Sequence, residues 1–338
     1  MKIAIVGAGA IGGYLGARLA HAGEEVTFIA RNRNLAAINA RGFRLLLEDG
    51  GELHALPAPT LRAVEQMNEA GPQDVVLLTV KAHQIDSLLP HLRELFGPRT
   101  MLVSMINGLP WWYFQGLSGP HADQVLHSVD PGGHIAALIE PQRIIGCVVY
   151  PAAELLEPGV VKVIEGKRFT LGELSGERSP RIEALSHCLM NAGFKAPISR
   201  DIRGEIWVKL WGNLSFNPIS ALTHATLRDI CTFPATRALA AAMMGEAQTV
   251  AEKLGVVFRL SLEQRIDGAH AVGAHKTSML QDLEHGRVLE LQALVGAVVE
   301  LARLTDTPTP HIDAIYAASS LLAYTALAQR SAVVLQAL

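Results

Sequence analysis

The first hundred residues alternate between short apolar runs and stretches with helical spacing. Residues 2 to 6, KIAIV, form a β-branched run that ends at a glycine, and AIGGYLGARLAHAG then repeats apolar residues with the period of a helix. Residues 25 to 30, EVTFIA, and 74 to 80, DVVLLTV, predict two further strands. The second is apolar throughout, as in a parallel sheet covered on both faces. Residues 101 to 106, MLVSMI, predict a fourth. Strands separated by helical connections predict an α/β fold, with an N-terminal doubly wound sheet of the Rossmann type. Further on, CVVYPAAE, the turn Glu157-Pro158-Gly159, VVKVIEG and RFTLGEL alternate with a short period, which predicts antiparallel strands completing the same domain.

From about residue 199 the pattern becomes helical. EIWVKLWGNLSF, RALAAAMMGEAQTVAEKLG and SMLQDLEHGRVLELQALVGAVVELARL are the segments that carry it, the last read as one long helix with Ser278 near its start and Glu290 three turns further on. The expectation is an all-helical C-terminal domain, with the boundary near Pro197, so that 1–197 is the dinucleotide-binding domain and 198–338 the substrate and catalytic domain.

Composition narrows the function. The chain has 338 residues, enough for two domains at the usual ~150 each. Hydrophobic residues are 49% and charged residues 18%, which supports buried cores and disfavours disorder. A net charge of -3 supplies no positive field for nucleic acid. Cys147, Cys188 and Cys231 are odd in number and contain no CxxC pair, so reduced core cysteines are expected, with neither a disulfide framework nor a zinc site. Gly7, Gly9, Gly12 and Gly13 argue against a signal peptide, and no run reaches the ~18 to 20 apolar residues of a membrane span. A soluble, cytoplasmic chain is expected.

Gly7-Ala8-Gly9-Ala10-Ile11-Gly12 matches GxGxxG directly after a strand and at the start of a helix. Gly7 makes the tight turn, Gly9 leaves room for a pyrophosphate against the backbone, and Gly12 lets helix and strand pack closely. The helix N-terminus adds free N–H groups and positive dipole. At the end of the second strand, where an Asp or Glu would accept the ribose hydroxyls of NAD, the sequence reads Arg31-Asn32-Arg33. A guanidinium binds a 2′-phosphate that a carboxylate would repel, so NADP is favoured over NAD. The plainer reading of Arg31 and Arg33 is a pair of solvated loop arginines.

Lys209, Asn213 and Asn217 stand at i, i+4 and i+8, on one face of a helix otherwise rich in Trp207, Leu210, Trp211, Leu214 and Phe216. Two readings stand level: a polar stripe satisfied by a bound ligand, or a solvated face with asparagines near a break at Pro218. Ser278 is compatible with a helix N-cap and Glu290 with an exposed helix position.

Taken in order, GAGAIGG with Arg31, Val80-Lys81, Asn107-Gly108, WVKLWGNLSFNP and KTSMLQDLEHGRVLE resemble the ketopantoate reductases (2-dehydropantoate 2-reductases), members of the 6-phosphogluconate dehydrogenase-like group. The resemblance runs over nearly the whole chain. It implies NADPH-dependent reduction of 2-dehydropantoate to pantoate, on the way to pantothenate and coenzyme A. It also implies roles: Lys209 as general acid, Asn213 and Asn217 holding substrate, Ser278 at the substrate carboxylate, and Glu290 holding the substrate hydroxyl and supporting the lysine. By the same resemblance Lys81 and Asn107 line the nicotinamide and substrate pocket from the Rossmann side. Gly7, Gly9, Ala10, Ile11, Gly12 and Arg31 are the remaining cofactor positions. The chemistry suits an ammonium, which stabilises the negative charge developing on a ketone oxygen during hydride transfer and supplies the proton.

The match departs from the family pattern at Ile106, at Ser128-Val129-Asp130-Pro131-Gly132-Gly133, and at the aromatic run Trp111-Trp112-Tyr113. Trp111, Trp112 and Tyr150 fit either a pocket for a bulkier 2-oxo acid or loop packing. Another branched 2-oxo acid as substrate, and a non-catalytic NADPH-binding protein, are the rival readings. His83, His134, His275 and His285 lie near motifs but show no HxxxH or HExxH spacing, so no metal is expected. Met243-Met244 and the apolar stripes of the last helices predict core or a homodimer contact.

Overall fold

The computed structural model describes residues 1–58, 60–329 and 333. The chain forms two compact units. Unit 1 comprises the described residues of Met1–Ile106, Phe114–Val125 and Gly132–Ile202; unit 2 comprises those of Asn107–Tyr113, Leu126–Pro131 and Arg203–Leu338. Two short segments from within 1–197 thus belong with the helices. Both are bonded there: Leu109 N–H donates to Ala293 O at 2.9 Å, and the N–H groups of His127 and Ser128 each donate to the Glu300 carboxylate at 2.8 Å. Such long-range hydrogen bonds leave no trace in local periodicity.

In chain order the strands of unit 1 are β1 Lys2–Val6, β2 Glu25–Ile29, β3 Phe43–Leu46, β4 Glu52–Ala55, β5 Leu61–Val64, β6 Gln73–Leu78, β7 Phe96–Ser104, β8 Ile144–Val149, β9 Ala152–Glu157, β10 Val160–Glu165 and β11 Phe169–Glu173. Seven form one sheet in the order β11-β8-β7-β6-β1-β2-β5, parallel throughout except for β11. The chain moves outward from β1 through β2 to β5 on one side, and through β6, β7 and β8 on the other. The order therefore reverses beside β1, the position at which open α/β sheets bind ligands.

The late alternating runs divide between two sheets. β8 joins the main sheet in parallel with β7, and β11 pairs antiparallel with β8. β9 and β10 do form an antiparallel hairpin, but they belong to a second sheet of order β4-β3-β10-β9. Alternation shows that a strand has two unlike faces and does not say which neighbour it pairs with. β3, β4 and β5, four residues each, are too short for a legible period. Helix α1, Ala10–His21, packs against both sheets through its glycines. A Cβ on Gly16 would stand 2.2 Å from Phe28 Cζ of β2, and one on Gly13 would stand 2.7 Å from Phe43 Cε1 of β3.

Unit 2 is helical, with helices Ile202–Thr223, Leu227–Thr232, Pro234–Lys253, Leu262–Val272, Ser278–Glu284, Ala297–Leu304 and Pro310–Ala328. Its core includes Trp207, Trp211, Met243, Met244, Leu294 and Val298, all buried. The single long helix expected over 278–304 is interrupted. Gly286 takes φ +63°, its N–H donates to Leu283 O at 3.1 Å, and Arg287 N–H donates to Asp282 O at 2.8 Å. This paired closure is a glycine-terminated helix end. Helical backbone resumes after Glu290, with a π-helical turn over Gln292–Gly296. Ser278 and Glu290 therefore do not share a helix.

Pro218 causes no break, because the helix continues to Thr223. Residues 214–221 are all buried, and burial on that scale outweighs the ~3 kcal/mol penalty of an internal proline. Cys147, Cys188 and Cys231 are buried free thiols. Among the described residues no helix is long and apolar enough to cross a membrane.

Candidate active site

The turn after β1 shows the division of labour that its spacing requires. Gly7 has φ +110°, and a Cβ there would lie 2.8 Å from Val80 Cγ1. At Gly12 a Cβ would strike Gly7 O at 2.0 Å and Thr79 Oγ1 at 2.6 Å, so helix and strand meet closely. At Gly9 a Cβ would have nothing within 4 Å. The backbone is thus open at Gly9, which is also the N-cap of α1. Ala10 and Ile11 open the first turn, where backbone N–H groups have no partner within the helix.

Two residues that the motif does not include hold this turn. Thr79 Oγ1 donates to Gly7 O at 2.7 Å, and Asn34 Nδ2 donates to Ala8 O at 3.1 Å. Thr79 sits in the run DVVLLTV, where it reads as one more strand residue, and Asn34 looks like an ordinary polar helix residue. Arg31 and Arg33 flank the start of helix Asn32–Arg41, and both are exposed. Lys81, half-buried, follows β6, and its N–H donates to Gln84 Oε1 at 3.0 Å.

In unit 2, Lys209, Asn213 and Asn217 occupy one face of helix Ile202–Thr223. Lys209 and Asn213 are half-buried and Asn217 is 5% exposed. The face is therefore only partly solvated, and the helix runs on through Pro218 without a break there. Asn107, expected on the Rossmann side, groups with the helices: Asn213 Nδ2 donates to its Oδ1 at 3.0 Å. Asn217 Nδ2 lies 3.5 Å from Ser278 Oγ, the long end of hydrogen bonding. The cap of helix Ser278–Glu284 is Thr277, whose hydroxyl accepts from Leu280 N–H at 3.3 Å. Ser278 is thus spared capping duty. Glu290 is half-buried at the entry to the next helical stretch, and its carbonyl accepts from Leu294 N–H.

Trp111, Trp112 and Tyr113 are packing residues of unit 2, each no more than 2% exposed. Trp207 Nε1 donates to the Tyr113 hydroxyl at 2.7 Å, and Arg203 lies over the Trp112 ring at 5.9 Å. This anchoring holds the segment that begins at Asn107. Among the described residues no group of three or more His, Cys, Asp or Glu converges as a metal site.

The model of "Ketopantoate reductase PanE/ApbA" matches residues 3–176, and that of "Ketopantoate reductase PanE/ApbA C terminal" matches residues 201–323. The chain belongs to the ketopantoate reductase family. A 2-dehydropantoate 2-reductase of Mesorhizobium japonicum is 55% identical over 318 residues, covering 94% of this chain and 96% of that protein. Among solved structures, a Ralstonia solanacearum protein superposes with a TM-score of 0.90 at 41% identity, over 96% of this chain and 98% of that one. The 2-dehydropantoate 2-reductase of Geobacter metallireducens gives a TM-score of 0.82 at 27% identity, over 98% and 100%. The two family models together span residues of both units.

Proposed function

We propose that the chain is an NADPH-dependent 2-dehydropantoate 2-reductase that forms (R)-pantoate. The observation that carries this is the row of half-buried Lys209 and Asn213 and buried Asn217, with Asn107 hydrogen-bonded to Asn213 and Ser278 beside Asn217. A polar row of this kind inside an apolar helical unit suits a small polar acid. The 55% identity to a 2-dehydropantoate 2-reductase supports the choice of acid.

The glycine turn would hold the pyrophosphate and Arg31 the 2′-phosphate, with Lys81 further along the same unit. When bound, NADPH supplies a hydride to C2 of the 2-oxo acid. As the carbonyl π pair moves onto oxygen, the Lys209 ammonium stabilises the developing charge and gives its proton to that oxygen, completing the hydroxyl. Asn213 and Asn217 orient the substrate through amide donors, Asn107 fixes the Asn213 amide, Ser278 Oγ donates to the substrate carboxylate, and Glu290 accepts from the substrate hydroxyl. Pantoate formed in this way serves pantothenate and coenzyme A synthesis. Three buried free thiols suit a reducing cytoplasm. Exposed Leu321, Tyr324 and Leu327 on helix Pro310–Ala328 suit a homodimer contact.

The test is an assay of a panel of 2-oxo acids with NADPH and with NADH. The highest kcat/KM is expected for 2-dehydropantoate with NADPH. A different acid preferred by tenfold or more would replace the substrate, and NADPH binding without turnover on any acid would remove the enzymatic reading.

A further inference from the structure

We infer that Tyr316 and Gln292 are positioning residues for the site proposed above: their hydrogen bond holds the π-helical turn Gln292–Gly296, whose freed carbonyl seats Asn107 against Asn213. The effect on turnover rests on the reductase reading. In an α-helix Ala297 N–H would donate to Ala293 O, four residues back. Here it donates to Gln292 O, five residues back, so Ala293 O is left without that donor. Ala293 is 2% exposed, and a buried carbonyl needs a partner. It finds one outside the helix, in Leu109 N–H at 2.9 Å, two residues beyond Asn107. Asn107 Oδ1 in turn accepts from Asn213 Nδ2 at 3.0 Å. The turn also starts beside Glu290, whose carbonyl accepts from Leu294 N–H at 3.2 Å. One backbone irregularity therefore adjoins two residues of the proposed site.

Single π-helical turns are rare and recur at functional positions. A side-chain pair holds this one. Tyr316, half-buried on helix Pro310–Ala328, donates its hydroxyl proton to Gln292 Oε1 at 2.9 Å. The Gln292 amide lies back along its own helix over Gly296, where a Cβ would stand 2.3 Å from Gln292 Oε1 and 3.1 Å from the Tyr316 hydroxyl oxygen. Gly296 has ordinary helical backbone, φ −55° and ψ −42°, so no left-handed conformation calls for glycine there. Glycine is also among the poorest residues for a helix interior. Its place is explained by the room it leaves for the bond between Tyr316 and Gln292. If the turn reverted to α-helix, Ala297 N–H would reclaim Ala293 O. Leu109, a fully buried residue, would then have to share or lose the acceptor of its N–H, and the hold on the chain beside Asn107 would loosen.

The test is hydrogen exchange at the Leu109 amide together with steady-state kinetics, both on the full chain. Tyr316→Phe removes only the hydroxyl, and Gln292→Leu removes the acceptor with little change of shape. Each should speed Leu109 exchange about twofold to tenfold, the range of one hydrogen bond, with exchange in helix Pro234–Lys253 unchanged. Each should lower kcat/KM for 2-dehydropantoate by a similar factor, while the Kd for NADPH stays at its wild-type value. The double variant should do no more than either single one, since both remove the same bond. Gln292→Glu keeps an acceptor oxygen for Tyr316 and should retain wild-type exchange and kinetics, a rescue that a general loss of packing does not give. Wild-type Leu109 exchange in both Tyr316→Phe and Gln292→Leu overturns the proposal, as does faster exchange with unchanged kcat/KM. A wild-type chain that turns over no 2-oxo acid fails the reductase reading instead. Leu109 exchange, measured without substrate, then upholds or overturns the seating of Asn107 by itself.

Discussion

Asn213 Nδ2 donates to Asn107 Oδ1 at 3.0 Å, joining two asparagines 106 residues apart in sequence. The chain around Asn107 is shaped for this contact. Gly108 takes φ +87°, and Leu109 N–H then donates to Ala293 O at 2.9 Å. Ala293 belongs to the π-helical turn, the kind of local irregularity that accompanies functional positions.

Replacing Gly108 by alanine tests whether this seating matters. The added Cβ would fall 2.3 Å from Ala293 O, in a backbone conformation that L residues rarely adopt. A loss of about 1–3 kcal/mol in urea unfolding is expected, with a drop of about tenfold or more in kcat/KM for the oxo acid. NADPH affinity, measured by fluorescence, should stay near wild type. In a double-mutant cycle, Asn107→Ala and Asn213→Ala should couple by about 1 kcal/mol, and strict additivity would show the bond to be idle.

Lys209→Ala should lower kcat by about 10²-fold or more, since general acid catalysis contributes about 10² to 10⁴. Cofactor binding should be nearly unchanged. Stopped-flow hydride transfer under single-turnover conditions reads the chemical step directly, and wild-type rates there would refute the proton-donor role.

On the proposed NADPH reading, Arg31→Ala should raise the Kd for NADPH much more than that for NADH, because only NADPH carries the 2′-phosphate that a guanidinium would bind. Parallel losses for both would mean that Arg31 is a loop arginine with no part in phosphate recognition.

The alkaline limb of stability should depend on Cys188. Burial chiefly pushes its thiol from the ordinary 9.0 up to about 12. Between those values the unfolded chain gives up this proton while the native chain keeps it, so stability falls as pH rises through that window; below it both states hold the proton and the slope vanishes. Cys231 and Tyr14 are raised by burial in the same direction. Thermal unfolding scanned from pH 8 upward should therefore show a shallower decline in Cys188→Ala than in wild type. Slopes that coincide would argue against the burial effect.

Much of the candidate site was legible because its signals are local. The glycine turn needs three residues without side chains at fixed offsets after a strand, and a helix places residues four apart on one face whatever surrounds them. Ser278 and Glu290 were nominated by the family resemblance alone, and their separation was not legible, since a single glycine conformation at Gly286 divides the helix that periodicity joins. Thr79 and Asn34 were invisible as parts of the turn, because each acts through one hydrogen bond to a distant backbone carbonyl.

By itself the sequence determined the parallel core strands, the glycine turn after β1, the helical character of the second half and the polar row on the Lys209 helix. All of these follow from periods of two or 3.6 residues and from backbone freedom at glycine. The tertiary structure decided which strands entered which sheet, that Pro218 stays inside its helix, and that Asn107 meets Asn213. Those choices are set by burial and by hydrogen bonds between residues far apart in the chain, and such energies exceed local preference without appearing in it.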